Sequence, residues 1–356
     1  MNQEFTAADK AHHQRLIDEL EAAGHIVVRP FSRNDGVSLD SDGSENMKIL
    51  MVIDFEASGK DPAKDIPVEI GFVRVEFNSL TGSLGRVVER YTGLEDPGFE
   101  LSEEVQKITG LNRSMLMNQH FDDAHIRQAV QSCDLIVAHN ASYDRVLGEL
   151  RFPELADKPW GCTFKEGPWE LMGIKTRSQD YLAYKVARIH YGAHRAMADC
   201  EALLEIMRSP AQDGRTCFAH VLESSRKPTF TVWAQNAPFD KKDILRNDGG
   251  YRWSGEDAGK VPKTWFKEGV TDLVAAFEFL TENVYGFPAS VTVDTVMAME
   301  RHSQRSSNRN RVMLNDASIK KMNQDPVPES EFVKNSEPSA SQVPVRAANR
   351  FHFRGG

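Results

Sequence analysis

The sequence predicts an α/β chain: one mixed sheet with helices on both faces, followed by a small α+β module. Three observations predict it. Apolar, β-branched runs such as Ile49-Leu50-Met51-Val52-Ile53 alternate with stretches of helical period. The first three runs are joined by short turns rich in Gly, Asp, Pro and Asn, after which the order becomes βαβα. Beyond Pro228 a new pattern starts, and it carries Trp233, Trp253 and Trp265.

The bulk properties fit that class. A chain of 356 residues suggests two domains with tails. Hydrophobic residues make up 40% and charged residues 27%, the balance of a globular protein. No apolar stretch nears the roughly 20 residues that span a bilayer. The opening Met1-Asn2-Gln3-Glu4-Phe5 lacks the basic-then-apolar order of a signal peptide, so a cytoplasmic location is expected. Cys133, Cys162, Cys200 and Cys217 form no C-x-x-C pair, which argues for reduced structural thiols over zinc or disulfides. A net charge of −9 argues against bulk affinity for polyanions.

Residues 1–46 read as an extension and linker. Leu16, Ile17 and Leu20 give a short amphipathic helix that Gly24 ends, and Ile26-Val27-Val28 suits a strand. Residues 32–46, rich in Ser, Asp, Asn and Gly, read as linker. A fold beginning at Met47 would be complete, so the extension is expected to be dispensable.

The main domain spans 47–210. Strands are expected at 48–55, 67–77 and 84–92, an antiparallel meander. Helices follow at 102–109, 113–118 and 121–132, then a buried strand at 134–138 and a helix at 142–150. A strand near 159–163 and helices at 178–190 and 196–208 complete the unit. Residues 211–228 read as a connector with a helical turn at Phe218-Ala219-His220-Val221-Leu222. Residues 229–305 follow βαββαβ, the ferredoxin-like order. Residues 306–356 read as a disordered tail in which only Phe351 and Phe353 suggest a contact motif.

The chemistry gathers at three places. Asp54 and Glu56 lie two apart at the end of the first strand, so they share a face. Alone, such a pair is more often a turn cap and a solvated acid. Asp144 follows the turn His139-Asn140-Ala141, in the first turn of a helix, where an acid also suits the helix dipole. Asp199 lies five residues after His194 in a third segment, early in another helix. Four carboxylates converging on one place need counter-charge. Hard divalent cations, Mg²⁺ or Mn²⁺, suit such a shell. A pair of them clamps the oxygens of an in-line phosphoryl displacement. A neutral histidine such as His194 suits a general base.

Asp54-Phe55-Glu56, His139-Asn140-Ala141-Ser142-Tyr143-Asp144 and His194-Arg195-Ala196-Met197-Ala198-Asp199 resemble the three motifs of the DEDDh-type 3′-to-5′ exonucleases. That family includes the epsilon subunit of bacterial DNA polymerase III. Ile66-Pro67-Val68-Glu69-Ile70-Gly71 and Ile108-Thr109-Gly110-Leu111 resemble its supporting strand and helix turn. The resemblance covers about residues 48–208 and implies a ribonuclease-H-like fold. It implies a two-metal nuclease that releases nucleoside 5′-monophosphates from 3′ ends of DNA, in replication or repair. By position it makes Asp54, Glu56, Asp144 and Asp199 the metal ligands and His194 the general base. It places Phe55, Ala57, Ser58, His139, Asn140 and Tyr143 beside the substrate. Ala57-Ser58 stands where the family usually has Thr-Thr, and Tyr143 replaces a common Phe. Two departures at the terminal nucleotide put substrate preference in question.

Trp160-Gly161-Cys162-Thr163, Trp169 and Tyr181-Leu182-Ala183 resemble an epsilon-like bacterial subgroup with a C-terminal module. The matching stretch here is Trp233-Ala234-Gln235-Asn236-Ala237-Pro238-Phe239 with Gly250-Tyr251-Arg252-Trp253. Aromatics beside Arg252, Lys260, Lys263 and Lys267 suit stacking on single-stranded bases, and equally suit a core with a solvated face. For Trp233 the core is favoured. Two other readings stay open: an exoribonuclease, and a non-catalytic nucleic-acid-binding subunit of a polymerase. The intact acid set speaks against the second, and no clamp-binding motif follows residue 208.

Overall fold

The structure, a computed structural model, describes residues 6–39, 46–255, 263–303 and 310–314. The chain opens with helix α1 (Ala7–Ala22) and a two-residue strand β1 (Arg29–Pro30). Strands β2 (Met47–Ala57), β3 (Pro67–Asn78) and β4 (Leu84–Leu94) form the expected antiparallel meander. Helices α2 (Glu103–Thr109), α3 (Arg113–Leu116) and α4 (Asp123–Gln131) follow, each capped by a side chain, from Ser102, Asn112 and Asp122. Then come β5 (Leu135–Ala138), α5 (Ala141–Arg151), β6 (Trp160–Cys162) and α6 (Thr163–Glu166). Helix α7 (Gln179–Leu182), strand β7 (Ile189–His190) and helices α8 (Ala196–Arg208) and α9 (Cys217–Arg226) complete this part.

The main sheet has the order β4-β3-β2-β5-β6, with β5 and β6 parallel to β2. Alternate residues of β2 feed opposite faces. Met51, Ile53 and Phe55 join Ile126, Val130 and Leu147 on the α4/α5 side. Leu50 and Val52 join Leu203, Met207 and Phe218 on the α8/α9 side. Both faces are covered, which is why β2 reads as a continuous apolar run.

The C-terminal module contains β8 (Thr229–Ala234), β9 (Arg252–Trp253), β10 (Trp265–Val270), α10 (Leu273–Phe279), β11 (Val291–Val296) and β12 (Asn310–Leu314). Its sheet order is β12-β11-β8-β10-β9, all antiparallel. Without β12 this is the arrangement that the βαββαβ order implies. The first helix expected there is only two short turns, Phe239–Lys241 and Ile244–Asp248. Trp233 is 4% exposed, and its Nε1 donates to Asp294 Oδ2 at 2.8 Å, so it is core.

Four expectations need correction. The stretch 211–228 is not a mere connector: Phe218 is fully buried and meets Phe77 edge-to-face at 5.3 Å. The sheet face beneath it would otherwise face water. The helix expected at 178–190 stops early, passing through a wider turn at Ala183–Ala187. There β7 leaves to pair with β1, which lies at Arg29–Pro30 and not at 26–28. The stretch expected to be a disordered tail includes β12, which pairs along β11. Finally, of the linker expected at 32–46, the described residues 32–39 are not free: Asn34, Asp35 and Gly36 are held against α8 and β4. Lys260, Phe351 and Phe353 lie outside the described residues.

Segment 297–303 fastens the module to the main domain. The buried Arg145 of α5 donates to the carbonyls of Ala298, Met299 and Arg301 at 3.0, 2.7 and 2.9 Å. Trp160 N donates to Ala298 O at 3.0 Å, so this segment covers the edge strand β6.

Candidate metal centre

The end of β2 carries Asp54 and Glu56 on one face, opposite Gly71 and Glu69 of β3 in register. Asp199 arrives from the first turn of α8. Gly71 makes this possible. A Cβ there would lie 2.5 Å from the carbonyl carbon of Ala196, so only glycine lets α8 sit this close to β3. Cys200 Sγ closes the same contact on Gly71 O at 3.2 Å. One carboxylate oxygen each from Asp54, Glu56 and Asp199 lie within 4.8 Å of one another.

Asp144 lies against this trio without joining it. It is buried in the first turn of α5, and its Oδ1 accepts from the backbone N of Phe55 at 3.2 Å. Burial and mutual repulsion act on all four acids. Burial, then the charges of Asp144, Asp199 and Glu56, push the Asp54 carboxyl well above its usual range. Burial and the Asp199 charge raise Glu56 to about 8. Burial raises Asp144 to about 7 against its backbone hydrogen bonds, and raises Asp199 against the bond from Tyr191. The nearby guanidinium of Arg195 is already engaged, with Nε and Nη2 both on Glu69 at 3.0 Å. Oxygen-only donors this close, starved of positive charge, fit a hard divalent cation.

His194 stands at the lip, exposed, in the left-handed region at φ 68°. Its backbone N donates to Asp199 Oδ2 at 2.8 Å, and among the described residues no hydrogen bond reaches its imidazole.

The expected substrate contacts divide. Asn140 is exposed at the start of α5. Tyr143 is half-buried, and its hydroxyl donates to Gly59 O at 2.7 Å. Phe55 and Ala57 are buried at 3% and 5% exposure, because they alternate with the acids and point away from the cleft. The Ser58 hydroxyl is held in the following turn, between Asp65 Oδ1 and Ile66 N, both at 3.0 Å. Both ring nitrogens of His139 are engaged within the chain. Nε2 donates to Arg177 O at 2.8 Å, which leaves Nδ1 to accept from the Thr163 hydroxyl at 2.9 Å. Burial lowers this imidazole to about 4, so it is neutral at pH 7 and ties down the segment after β6.

Sequence reasoning missed three supporting residues. Glu69, 1% exposed, also accepts from the Ala196 backbone N at 3.3 Å, an N-terminal cap for α8 supplied by a neighbouring strand. Tyr191 OH donates to Asp199 Oδ1 at 2.8 Å, and Gln179 Nε2 reaches the same atom at 3.1 Å. Only Glu69 left a trace, as an acid inside an apolar strand.

Residues 51–207 match the family described as Exonuclease. A DNA polymerase III PolC-type protein of Thermotoga petrophila is 27% identical over 189 residues, 50% of this chain and 13% of that protein. The DNA polymerase III subunit epsilon of Aquifex aeolicus is 26% identical over 164 residues, 44% of this chain and 77% of that protein. The chain therefore spans only a small part of the PolC-type relatives. Among solved structures, Exonuclease X in complex with 5′ overhanging duplex DNA is 26% identical. That match has a TM-score of 0.35 and covers 48% of this chain and 97% of the other. The structure of Exonuclease I is 17% identical with a TM-score of 0.39, covering 51% and 48%. No helix among the described residues is long and apolar enough to cross a membrane. The acids of β2, α5 and α8 all fall inside the matched span, so residues 51–207 carry an Exonuclease domain.

Proposed function

We propose that the chain is a metal-dependent 3′-to-5′ exonuclease that removes nucleoside 5′-monophosphates from single-stranded DNA. The observation that carries this reading is the trio of carboxylate oxygens within 4.8 Å, from Asp54, Glu56 and Asp199. Asp54, Glu56 and Asp199, with Asp144 beside them, would hold the cations, and Mg²⁺ or Mn²⁺ is the fitting choice. When bound, such ions supply the positive charge and Lewis acidity that an in-line displacement at phosphorus needs. His194 takes the proton of the attacking water; that oxygen stays on the released 5′-phosphate as the bond to the neighbouring 3′ oxygen breaks. Its exposed place beside Asp199 leaves room for this. Asn140 and Tyr143 face the terminal nucleotide, while Phe55, Ala57, Ser58 and His139 hold the walls in place. We extend the proposal to a cytoplasmic role in replication or repair beside a polymerase, and relatives named as DNA polymerase III proteins support the polymerase part.

The test is a 5′-labelled single strand incubated in Mg²⁺. The wild-type chain should give a ladder shortening from the 3′ end, and Asp54→Ala should leave the substrate intact. A substrate untouched by pure wild-type protein in Mg²⁺ and in Mn²⁺ ends the reading. An RNA strand beside the DNA decides which sugar is preferred. His194→Ala should lose rate by about 10²-fold or more while Mn²⁺ affinity stays near wild type, as expected of a base and not a ligand.

A further inference from the structure

The extension that reads as a dispensable linker leads straight to the candidate metal centre. Arg29 and Pro30 pair in parallel with Ile189 and His190. Arg29 N donates to Arg188 O at 2.9 Å, and Phe31 N to His190 O at 2.8 Å. The chain then continues as a strap. Arg208 Nη1 donates to Asn34 O at 2.8 Å, Val87 N to Asp35 O at 2.7 Å, and Arg90 pairs with Asp35 at 2.7 Å. At Gly36, φ is +67° and a Cβ would lie 2.4 Å from Gly85 O. A backbone seated this closely, in a conformation that favours glycine, is a docked element.

What the strap holds is the approach to Asp199. Strand β7 has two residues, too few to be stable unpaired. The next residue is Tyr191, whose hydroxyl donates to Asp199 Oδ1. Gln179 Nε2 reaches Tyr191 OH at 3.0 Å, Asp199 O at 2.9 Å and Asp199 Oδ1 at 3.1 Å. The other oxygen, Oδ2, accepts from the backbone N of His194 and of Arg195 at 2.8 and 3.1 Å. Four donors, two on each oxygen, fix the carboxylate in rotation and in tilt.

We propose that Tyr191 and Gln179 are positioning residues that aim Asp199 at the metal, and that the strap, residues 29–36, sets Tyr191 by pairing with β7. This rests on the reading of Asp199 as a metal-facing carboxylate. Groups that hydrogen-bond a ligand set its direction, and their loss typically lowers metal affinity 10–100-fold.

The test is calorimetric titration of Mn²⁺ into the full chain, with thermal unfolding in EDTA alongside. Tyr191→Phe keeps the ring and removes the donor. It should weaken Mn²⁺ binding about tenfold with little change in metal-free unfolding. Gly36→Val, which unseats the strap, should weaken binding by a similar factor. Because the strap acts through Tyr191, the double variant should be no weaker than Gly36→Val alone. If Gly36→Val does not fold, Arg208→Met loosens the strap at Asn34 without backbone strain and replaces it in the cycle. Wild-type affinity in Tyr191→Phe, or additive losses in the double variant, overturns the proposal while leaving the nuclease reading in place. A flat titration with wild-type protein shows instead that the metal reading of the site fails, and this inference falls with it.

Discussion

Two groups of buried carboxylates lie on the same domain and behave in opposite ways. At the end of β2, burial and mutual repulsion push Asp54 and Glu56 up, Glu56 to about 8. At the seam with the C-terminal module, Glu166 is as deeply buried, its side chain 6% exposed. Burial raises it too, but the hydrogen bond from His302 and the charge of Arg301 outweigh that and hold it below the usual range. Arg301 lies 2.8 Å away and His302 3.2 Å away. Burial is common to both places; the difference is a cation supplied by the chain. The seam is electrostatically complete, so it is structural. Among the described residues the end of β2 has no such cation of its own, which fits the proposed metal site.

Breaking each cluster should therefore have opposite consequences. Asp54→Asn removes a repelling charge. It should abolish cleavage, by a factor on the order of 10³ or more, yet leave metal-free stability at pH 8 equal or higher. Nuclease assays and urea unfolding in EDTA measure the two effects. Lower stability in that variant would mean that Asp54 already has a partner. Arg301→Ala does the reverse. It leaves Glu166 buried beside a single histidine and should cost about 3–5 kcal/mol in urea unfolding, with turnover of the surviving folded protein unchanged. A loss under 1 kcal/mol would place the seam in solvent.

The two clusters were not equally legible in the sequence. Strand alternation puts Asp54 and Glu56 on one face, but Asp144 and Asp199 stand out only in combination with them and through the motifs they resemble. The main sheet follows from the same periodicity. The seam does not, because Glu166 and Arg301 are 135 residues apart and nothing local marks either as buried. The strap is hidden in the sequence for a related reason. Its Ser, Asn and Gly composition is that of a linker, and much of its hold is backbone hydrogen bonding, which composition does not encode. Tyr191 and Gln179 are ordinary polar residues until folding brings them to Asp199. In α9, the run Phe218-Ala219-His220-Val221-Leu222 carried the helix signal, but not the apolar sheet face that needed covering.

Titration sharpens the contrast. Glu56, ordinarily near 4.5, is raised to about 8 in the folded chain, so the metal-free fold binds a proton more tightly than the unfolded chain. Its contribution is full below about pH 4.5 and is lost as pH rises toward 8. Asp144, raised to about 7, acts in the same direction. Glu166 has the opposite sign: its stabilisation is present above its unfolded value and is lost on acidification. Thermal unfolding in EDTA should thus show a midpoint that declines from pH 5 to 8, and Mg²⁺ should flatten or reverse the decline. A flat metal-free profile over that range would contradict strain among these acids.

The smallest expected effect lies beside the acids, at Tyr143. Among the described residues its hydroxyl bonds no carboxylate; it donates to Gly59 O and closes the turn after Ala57-Ser58. Burial, then the nearby charges of Asp144, Asp65 and Glu56, hold the phenol protonated, so it remains a donor throughout the physiological range. Tyr143→Phe keeps the ring packing and removes one neutral hydrogen bond, at a cost of about 1 kcal/mol. It also restores the residue common at this position in the family that the motif resembles. Stability should fall by that small amount and Mn²⁺ affinity should not change. KM for a single strand should rise a few-fold as the turn loosens, with kcat near wild type. A fall in kcat with KM unchanged would instead place the hydroxyl at the reacting phosphate, and would make Tyr143 part of the chemistry that the four acids support.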